Sequence, residues 1–211
     1  MYLQKKYDKA GPLVAEQLNK RGFDAYYVST AAEAREKVME MMPEGSSVAW
    51  GGSMTLNETG IKDAVKAGNY TVIDREKAAP WSEEWMEIMR KALTADVFLM
   101  SSNAITEDGQ LINIDGLGNR VAALCFGPKE VIVVAGMNKV VGTLEDGWNR
   151  ARRYVAPLNG QRFEGFSIPC QTTGMCADCK SQQTICSQFV VTRIVKNKRV
   201  KVVLVGENLG Y

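Results

Sequence analysis

The chain has 211 residues, 45% apolar and 24% charged, with a formal net charge of +2. These values describe one ordinary globular domain spanning residues 1–211, and they exclude a large polyanionic partner, so neither nucleic acid nor membrane is expected. No run approaches bilayer length, and the opening MYLQKKYDKAGPL lacks the apolar stretch of a secretory leader, which makes the cytoplasm the expected compartment.

A first helix is expected to stop near Arg21-Gly22, with a strand over Phe23 to Val28 behind it. Thr30-Ala31-Ala32-Glu33 has the capping-box pattern, in which a hydroxyl and a carboxylate satisfy opening amides. The helix it introduces aligns Ala34, Val38, Met41 and Met42 on one face. After Pro43-Glu44-Gly45, Ser47 to Trp50 reads as a strand running into Gly51-Gly52. Thr55 to Ala67 reads as one helix and Tyr70 to Ile73 as a strand. Ser82 to Ala95 is amphipathic, burying Trp85, Ile88, Met89, Ala92 and Leu93. Val97 to Met100 and Val131 to Ala135 are continuous apolar runs of the kind found in strands covered on both faces. Between them, Asn103 to Thr106 and Gln110 to Asn113 flank Glu107-Asp108-Gly109 as an inserted hairpin. Arg150, Arg152 and Arg153 read as the charged end of a helix. Toward the end, Phe189 to Val195 and Arg199 to Val205 flank Lys196-Asn197-Lys198 as a second antiparallel pair, with Lys196, Lys198, Arg199 and Lys201 on a solvated turn and edge. The alternation predicts an α/β fold with a mostly parallel sheet and helices on both sides.

Three turns leave strands with polar or glycine-rich sequences. Trp50-Gly51-Gly52-Ser53-Met54-Thr55 offers close backbone approach and hydroxyls at a helix start, either as an anion site or as a tight turn with a serine cap. In Ile112-Asn113-Ile114-Asp115, the two polar residues share a strand face. Gly116, Gly118, Asn119 and Arg120 follow, opening a helix that runs to Cys125. That group can orient an anion; alternatively Asp115 caps the helix and pairs with Arg120. Ala135-Gly136-Met137-Asn138-Lys139 offers an amine at the end of a third strand. In an open α/β sheet, turns at the carboxyl ends of strands are where ligands bind.

Four of the five cysteines form Cys170-x5-Cys176-x2-Cys179-x6-Cys186, and the chain has no histidine. In a reducing compartment a disulfide framework is the weaker reading. Four converging thiolates suit zinc or an iron–sulfur centre, although the spacing has only one C-x2-C pair and departs from common ferredoxin runs. The segment around 165–188 shows no periodicity and reads as an excursion ordered by whatever its thiols bind. Cys125, within an apolar helix, reads as a small core residue. Without imidazole, acid–base work falls to other side chains.

The segments GGSMTLNETG, SSNAITEDGQLINIDGLGNRVAALCFGPKEVIVVAGMNKVV and VKVVLVGENLGY together resemble the lactate-utilisation (LUD) domain family over nearly the whole chain. The resemblance implies the three-layer α/β/α fold of the ribose-phosphate isomerase, glucosamine-phosphate deaminase and CoA-transferase group. By that analogy Gly51, Gly52, Ser53 and Thr55 occupy an anion-binding turn, Glu58 and Asp115 are acid–base candidates, and Lys139 is an electrostatic clamp. It further implies a role in oxidising lactate to pyruvate beside iron–sulfur oxidoreductase partner subunits. That redox setting favours a 4Fe-4S cluster over zinc on Cys170, Cys176, Cys179 and Cys186, and a small anionic or nucleotide-like ligand in the cleft. Two rivals stand beside it: an enzyme acting alone on a phosphosugar or acyl-CoA through Glu58 or Asp115, and a zinc-stapled binding module without catalysis.

Overall fold

A computed structural model describes residues 2–211. Helix α1 (Tyr2–Lys20) buries Tyr7, Gly11, Val14, Ala15 and Leu18, spaced by three or four residues along one stripe. It lies on strand β1 (Asp24–Val28), and Gly11 is what lets it settle there. A Cβ at Gly11 would stand 2.1 Å from the Tyr27 ring. Helix α2 (Ala31–Met41) is capped by Thr30, whose hydroxyl accepts from the Glu33 amide at 3.2 Å. The Glu33 carboxylate reaches back past Thr30 to accept from the Ser29 amide at 2.8 Å.

Strand β2 (Ser47–Trp50) leads into two short helices, α3 (Met54–Glu58) and α4 (Ile61–Ala67). The single helix expected over this stretch is broken. Thr59 turns its hydroxyl back to the Thr55 carbonyl at 2.9 Å, and Gly60 takes a left-handed φ of 67°, a conformation that ends helices. Strand β3 (Thr71–Ile73), a 3-10 turn over Arg75–Lys77, α5 (Glu83–Ala92) and β4 (Val97–Met100) follow. Next come β5 (Ala104–Thr106), β6 (Leu111–Asp115), α6 (Asn119–Cys125) and β7 (Glu130–Gly136). A 3-10 turn at Met137–Lys139 precedes β8 (Val140–Val141), α7 (Leu144–Asn149) and a π-helical turn at Arg150–Val155. The chain closes with α8 (Ala156–Gly160), α9 (Pro169–Thr173), β9 (Gln188–Thr192) and β10 (Val200–Val205).

Six strands form one sheet in the order β1-β10-β7-β4-β2-β3, every pair parallel. Alternation along β7 shows the layering. Val131, Val133 and Ala135 enter a core shared with residues of α1, α5 and α6, whereas Ile132 and Val134 enter one shared with α2, α3 and α4. This is the expected three-layer α/β/α arrangement. A second sheet, β8-β5-β6-β9, carries its own small core of Ala104, Ile112, Ile114 and Ala151.

The hairpin of β5 and β6 forms as expected, but the proposed pairing of the last two strands does not. β9 joins β6 antiparallel in the second sheet, while β10 lies between β1 and β7 in the main sheet. The run Val200–Val205 is buried on nearly every residue, as a central parallel strand requires. Arg199 and Lys201 are therefore not a solvated edge. Arg199 donates to the carbonyls of Ala123, Leu124 and Pro128 at the end of α6, and Lys201 pairs with Glu130 at 2.8 Å. Cys125 is also corrected: it is exposed, because Val121, Ala123 and Leu124 supply the buried face of α6.

Candidate functional site

Strands β10, β7, β4 and β2 are neighbours in the main sheet, so the residues leaving their carboxyl ends meet on one side. Lys139, at the end of the turn after β7, is 3% exposed. Its Nζ donates to Thr55 Oγ1 and to Ser101 Oγ, both at 2.9 Å. Lys139 takes part in no ion pair among the described residues. Burial, reinforced by Arg150 and Arg120, brings its pKa down to about 7, with Glu58 acting weakly the other way. A buried amine answered only by hydroxyls leaves a positive site without its counter-ion. Arg150, half-buried on the first turn of the π-helical segment, lies 5.2 Å from the Tyr154 ring and likewise has no carboxylate partner among the described residues.

The residues after β10 close over this amine. Leu209 N donates to Asn138 Oδ1 at 3.1 Å, Gly210 N donates to Glu58 Oε2 at 2.6 Å, and Thr55 Oγ1 is 3.3 Å from the Leu209 carbonyl. Gly210 has φ 57°, and a Cβ there would lie 2.7 Å from Thr55 Oγ1 and within 3.3 Å of Lys139 Nζ. Among the glycine-turn residues, Ser53 caps α3 by accepting from Leu56 N at 3.2 Å. Gly51 makes room for Arg120, whose Cδ would stand 3.0 Å from a Cβ at that position.

Asn113 and Asp115 do share Arg120. Its Nη1 donates to Asn113 Oδ1 at 2.5 Å and to the Ser101 carbonyl at 3.1 Å; its Nη2 donates to Asn103 Oδ1 at 3.1 Å and to the Ile114 carbonyl at 2.6 Å. Asp115 stands 3.8 Å from Arg120 Nε and accepts from Val121 N at 3.1 Å, capping α6 through the turn at Gly116, Gly118 and Asn119. The guanidinium of Arg120 thus locks the end of β4 to the hairpin. Two surface hollows of about 430 and 420 Å³ lie elsewhere, beside Lys66 and Asp74 and beside Asp96 and Lys129. Their opposite charges are already paired, at 3.1 and 2.6 Å.

The cysteine segment borders the same turns. A Cβ at Gly116 would stand 3.2 Å from Ile185 Cα, and Ser187 N donates to the Asp115 carbonyl at 2.9 Å, so Cys186 is held against the end of β6. Its thiol is pushed up to about 12, first by burial and then by the thiols of Cys176, Cys170 and Cys179. Cys170 Sγ packs where a Cβ at Gly160 would stand 3.1 Å away, and Arg152 bridges Asp178 at 2.5 Å and Cys176 Sγ at 3.9 Å. Among the described residues, no three or more Cys, Asp or Glu side chains are drawn into metal-holding geometry. By residue type alone, four thiols without competing imidazoles are the donors that a soft metal centre takes.

The LUD domain model matches residues 12–205. The chain belongs to the LUD domain family. A solved DUF162 family protein from Deinococcus radiodurans covers 94% of this LUD chain and 97% of its own length, at TM-score 0.56 and 14% identity, which shows a shared fold. Looser overlays include ribose 5-phosphate isomerase A from Methanocaldococcus jannaschii (15% identity, 54% and 55% covered, TM-score 0.34). Another is eIF2B delta from Chaetomium thermophilum (18% identity, 57% and 54% covered, TM-score 0.34). No functionally curated protein matches the LUD chain significantly.

Ser101, Arg150 and the stretch after β10 are the parts of this candidate site that sequence pattern did not single out. Ser101 had a signal, since it is the first polar residue after the buried run Val97–Met100. Arg150 had none, because helical periodicity alone puts it with its exposed neighbours.

Proposed function

We propose that this LUD chain takes part in oxidation of lactate or a related organic acid, as the cluster-bearing component of a redox complex. The observation that carries the reading is Lys139: a buried amine held by Thr55 and Ser101, with no carboxylate partner among the described residues. A substrate or product carboxylate supplies the missing charge. In this reading Arg120 fixes the hairpin, while Glu58 and Asp115 hold the Gly210 and Val121 amides instead of moving protons. Cys170, Cys176, Cys179 and Cys186 would hold a 4Fe-4S cluster, which supplies one-electron transfer when bound. The contact of Ile185 and Ser187 with the Gly116 turn supports a short path between ligand and thiols.

The test is reconstitution with iron–sulfur oxidoreductase partner subunits and a reducible dye. Lactate-dependent dye reduction should require this chain and should fall at least tenfold with Lys139→Met. If omission of the chain leaves lactate oxidation unchanged, the reading is wrong.

A further inference from the structure

Lys139 is shut in. It is 3% exposed, its Nζ rests on the hydroxyls of Thr55 and Ser101, and a Cβ at Gly210 would come within 3.3 Å of it. An anion reaches this amine only after part of its cover moves. Thr55 and Ser101 are themselves buried, on α3 and just past β4. Leu209 is fixed as well, with its side chain in the core shared with α2, α3 and α4 and its amide on Asn138 Oδ1. Gly210 and Tyr211 are built differently. Both are half-buried, in neither helix nor strand. Gly210 is tied only through side chains, its amide to Glu58 Oε2 at 2.6 Å and its carbonyl to Asn138 Nδ2 at 3.4 Å. Such bonds contribute about 0.5–1.5 kcal/mol each, so a segment held by them opens before the sheet does.

The next residue fastens this cover. The Tyr211 hydroxyl donates to Asn159 Oδ1 at 2.9 Å and accepts from Arg162 Nη1 at 2.9 Å, and Arg162 Nη1 also donates to Asn159 Oδ1 at 3.2 Å. The three groups close a ring of hydrogen bonds at the end of α8. The same turn is tied to the first cysteine. Gln161 Nε2 donates to the Cys170 carbonyl at 2.9 Å, and Gln171 Nε2 donates to the carbonyls of Gly160 at 3.1 Å and Phe163 at 2.5 Å. Gly210 thus lies on the amine, while Tyr211 is fastened to the turn on which the Cys170 helix α9 is seated.

We propose that Gly210 and Tyr211 form a lid over Lys139, with the Tyr211 hydroxyl as its latch on Asn159 and Arg162. The lid swings between Leu209, which stays anchored, and the latch, which lets go. Seating of the Cys170 segment holds the latch turn in place, so order in that segment governs access to the amine. The inference deepens the reading of Lys139 as an anion site, but its test needs no bound acid, so the two stand or fall separately.

The test is the rate at which formaldehyde and dimethylamine-borane methylate Lys139 in the full chain, read by peptide mass spectrometry. At about pH 8 an amine with a pKa of about 7 is mostly neutral and reacts once it is reached. Exposed Lys196 is the internal reference. In the wild type, Lys139 should react at least about tenfold more slowly than Lys196. Tyr211→Phe keeps the ring and removes both latch bonds, so Lys139 should react about tenfold faster while Lys196 is unchanged. Gln171→Leu, which cuts the Cys170 segment from the latch turn, should shift Lys139 in the same direction. In both variants amide exchange at Gly210 and Tyr211 should quicken while β7 and β10 stay protected, which separates lid opening from general unfolding. Wild-type Lys139 that reacts as fast as Lys196, or that is unmoved by Tyr211→Phe in a folded protein, overturns the lid. Unchanged reactivity in Gln171→Leu overturns its coupling to the cysteine segment. Failure of the lactate assay leaves these rates untouched.

Discussion

At the scale of single residues the molecule is organised around Lys139. Its ammonium is costly to bury, so the folded chain gives up that proton near pH 7, whereas the unfolded chain keeps it into the ordinary lysine range. The sign follows from proton counts: across that interval the unfolded state binds more protons, so stability rises with pH above about 7 and the full penalty applies below it. Lys139→Met should therefore melt higher than wild type near pH 6, with the advantage shrinking toward about pH 10. Binding of lactate or pyruvate should run the other way. An ammonium holds a carboxylate and a neutral amine does not, so affinity should fall by up to about tenfold per pH unit above 7. Calorimetric titrations at several pH values check this, and a flat profile would remove Lys139 from the site. The candidate amine itself was legible in the sequence, as the lysine just past a buried strand. Its burial was not, because that depends on Thr55, Ser101 and Gly210 arriving from three other parts of the chain.

At the scale of elements, apolar runs mapped onto strands wherever one strand's own pattern decided the matter. Val97–Met100 and Val131–Ala135 are buried on both faces, as their continuous apolar character requires. Partner choice was less legible. Lys196-Asn197-Lys198 has the composition of a hairpin turn, yet β9 pairs with β6 in the second sheet and β10 with β1 and β7 in the main sheet. The break between α3 and α4 rests on Gly60 and a side-chain bond from Thr59, features that apolar periodicity does not register. The stretch after β10 is an element of the site in its own right. Gly210→Ala would force a Cβ to within 2.7 Å of Thr55 Oγ1 in a left-handed conformation. It should cost about 1–3 kcal/mol, seen as a lower melting temperature, and loosen the Gly210 amide from Glu58. A melt indistinguishable from wild type would mean that these residues do not seat as described.

For the whole molecule, one parallel sheet places the turns, and a smaller sheet anchors the cysteine excursion beside them. The alternation of helix and strand made the three-layer body readable in advance, since each layer follows from local periodicity. The excursion was readable only as four thiols without regular structure. Its contact with the Gly116 turn runs through Ile185 and Ser187, neither of which carries a recognisable motif. No helix among the described residues is long and apolar enough to cross a membrane. If a cluster unites the thiols, removing it should loosen this excursion while sparing the main sheet. Chelation should then increase proteolytic cleavage between Phe163 and Ser187 and leave the β7 and β10 amides protected from hydrogen exchange.

The redox role is tested most directly by metal content together with the visible and paramagnetic-resonance spectrum of chain purified without oxygen. The account predicts about four irons per chain and a brown chromophore that Cys176→Ser weakens. One zinc per chain, with no visible absorption and no reducible signal, would contradict it.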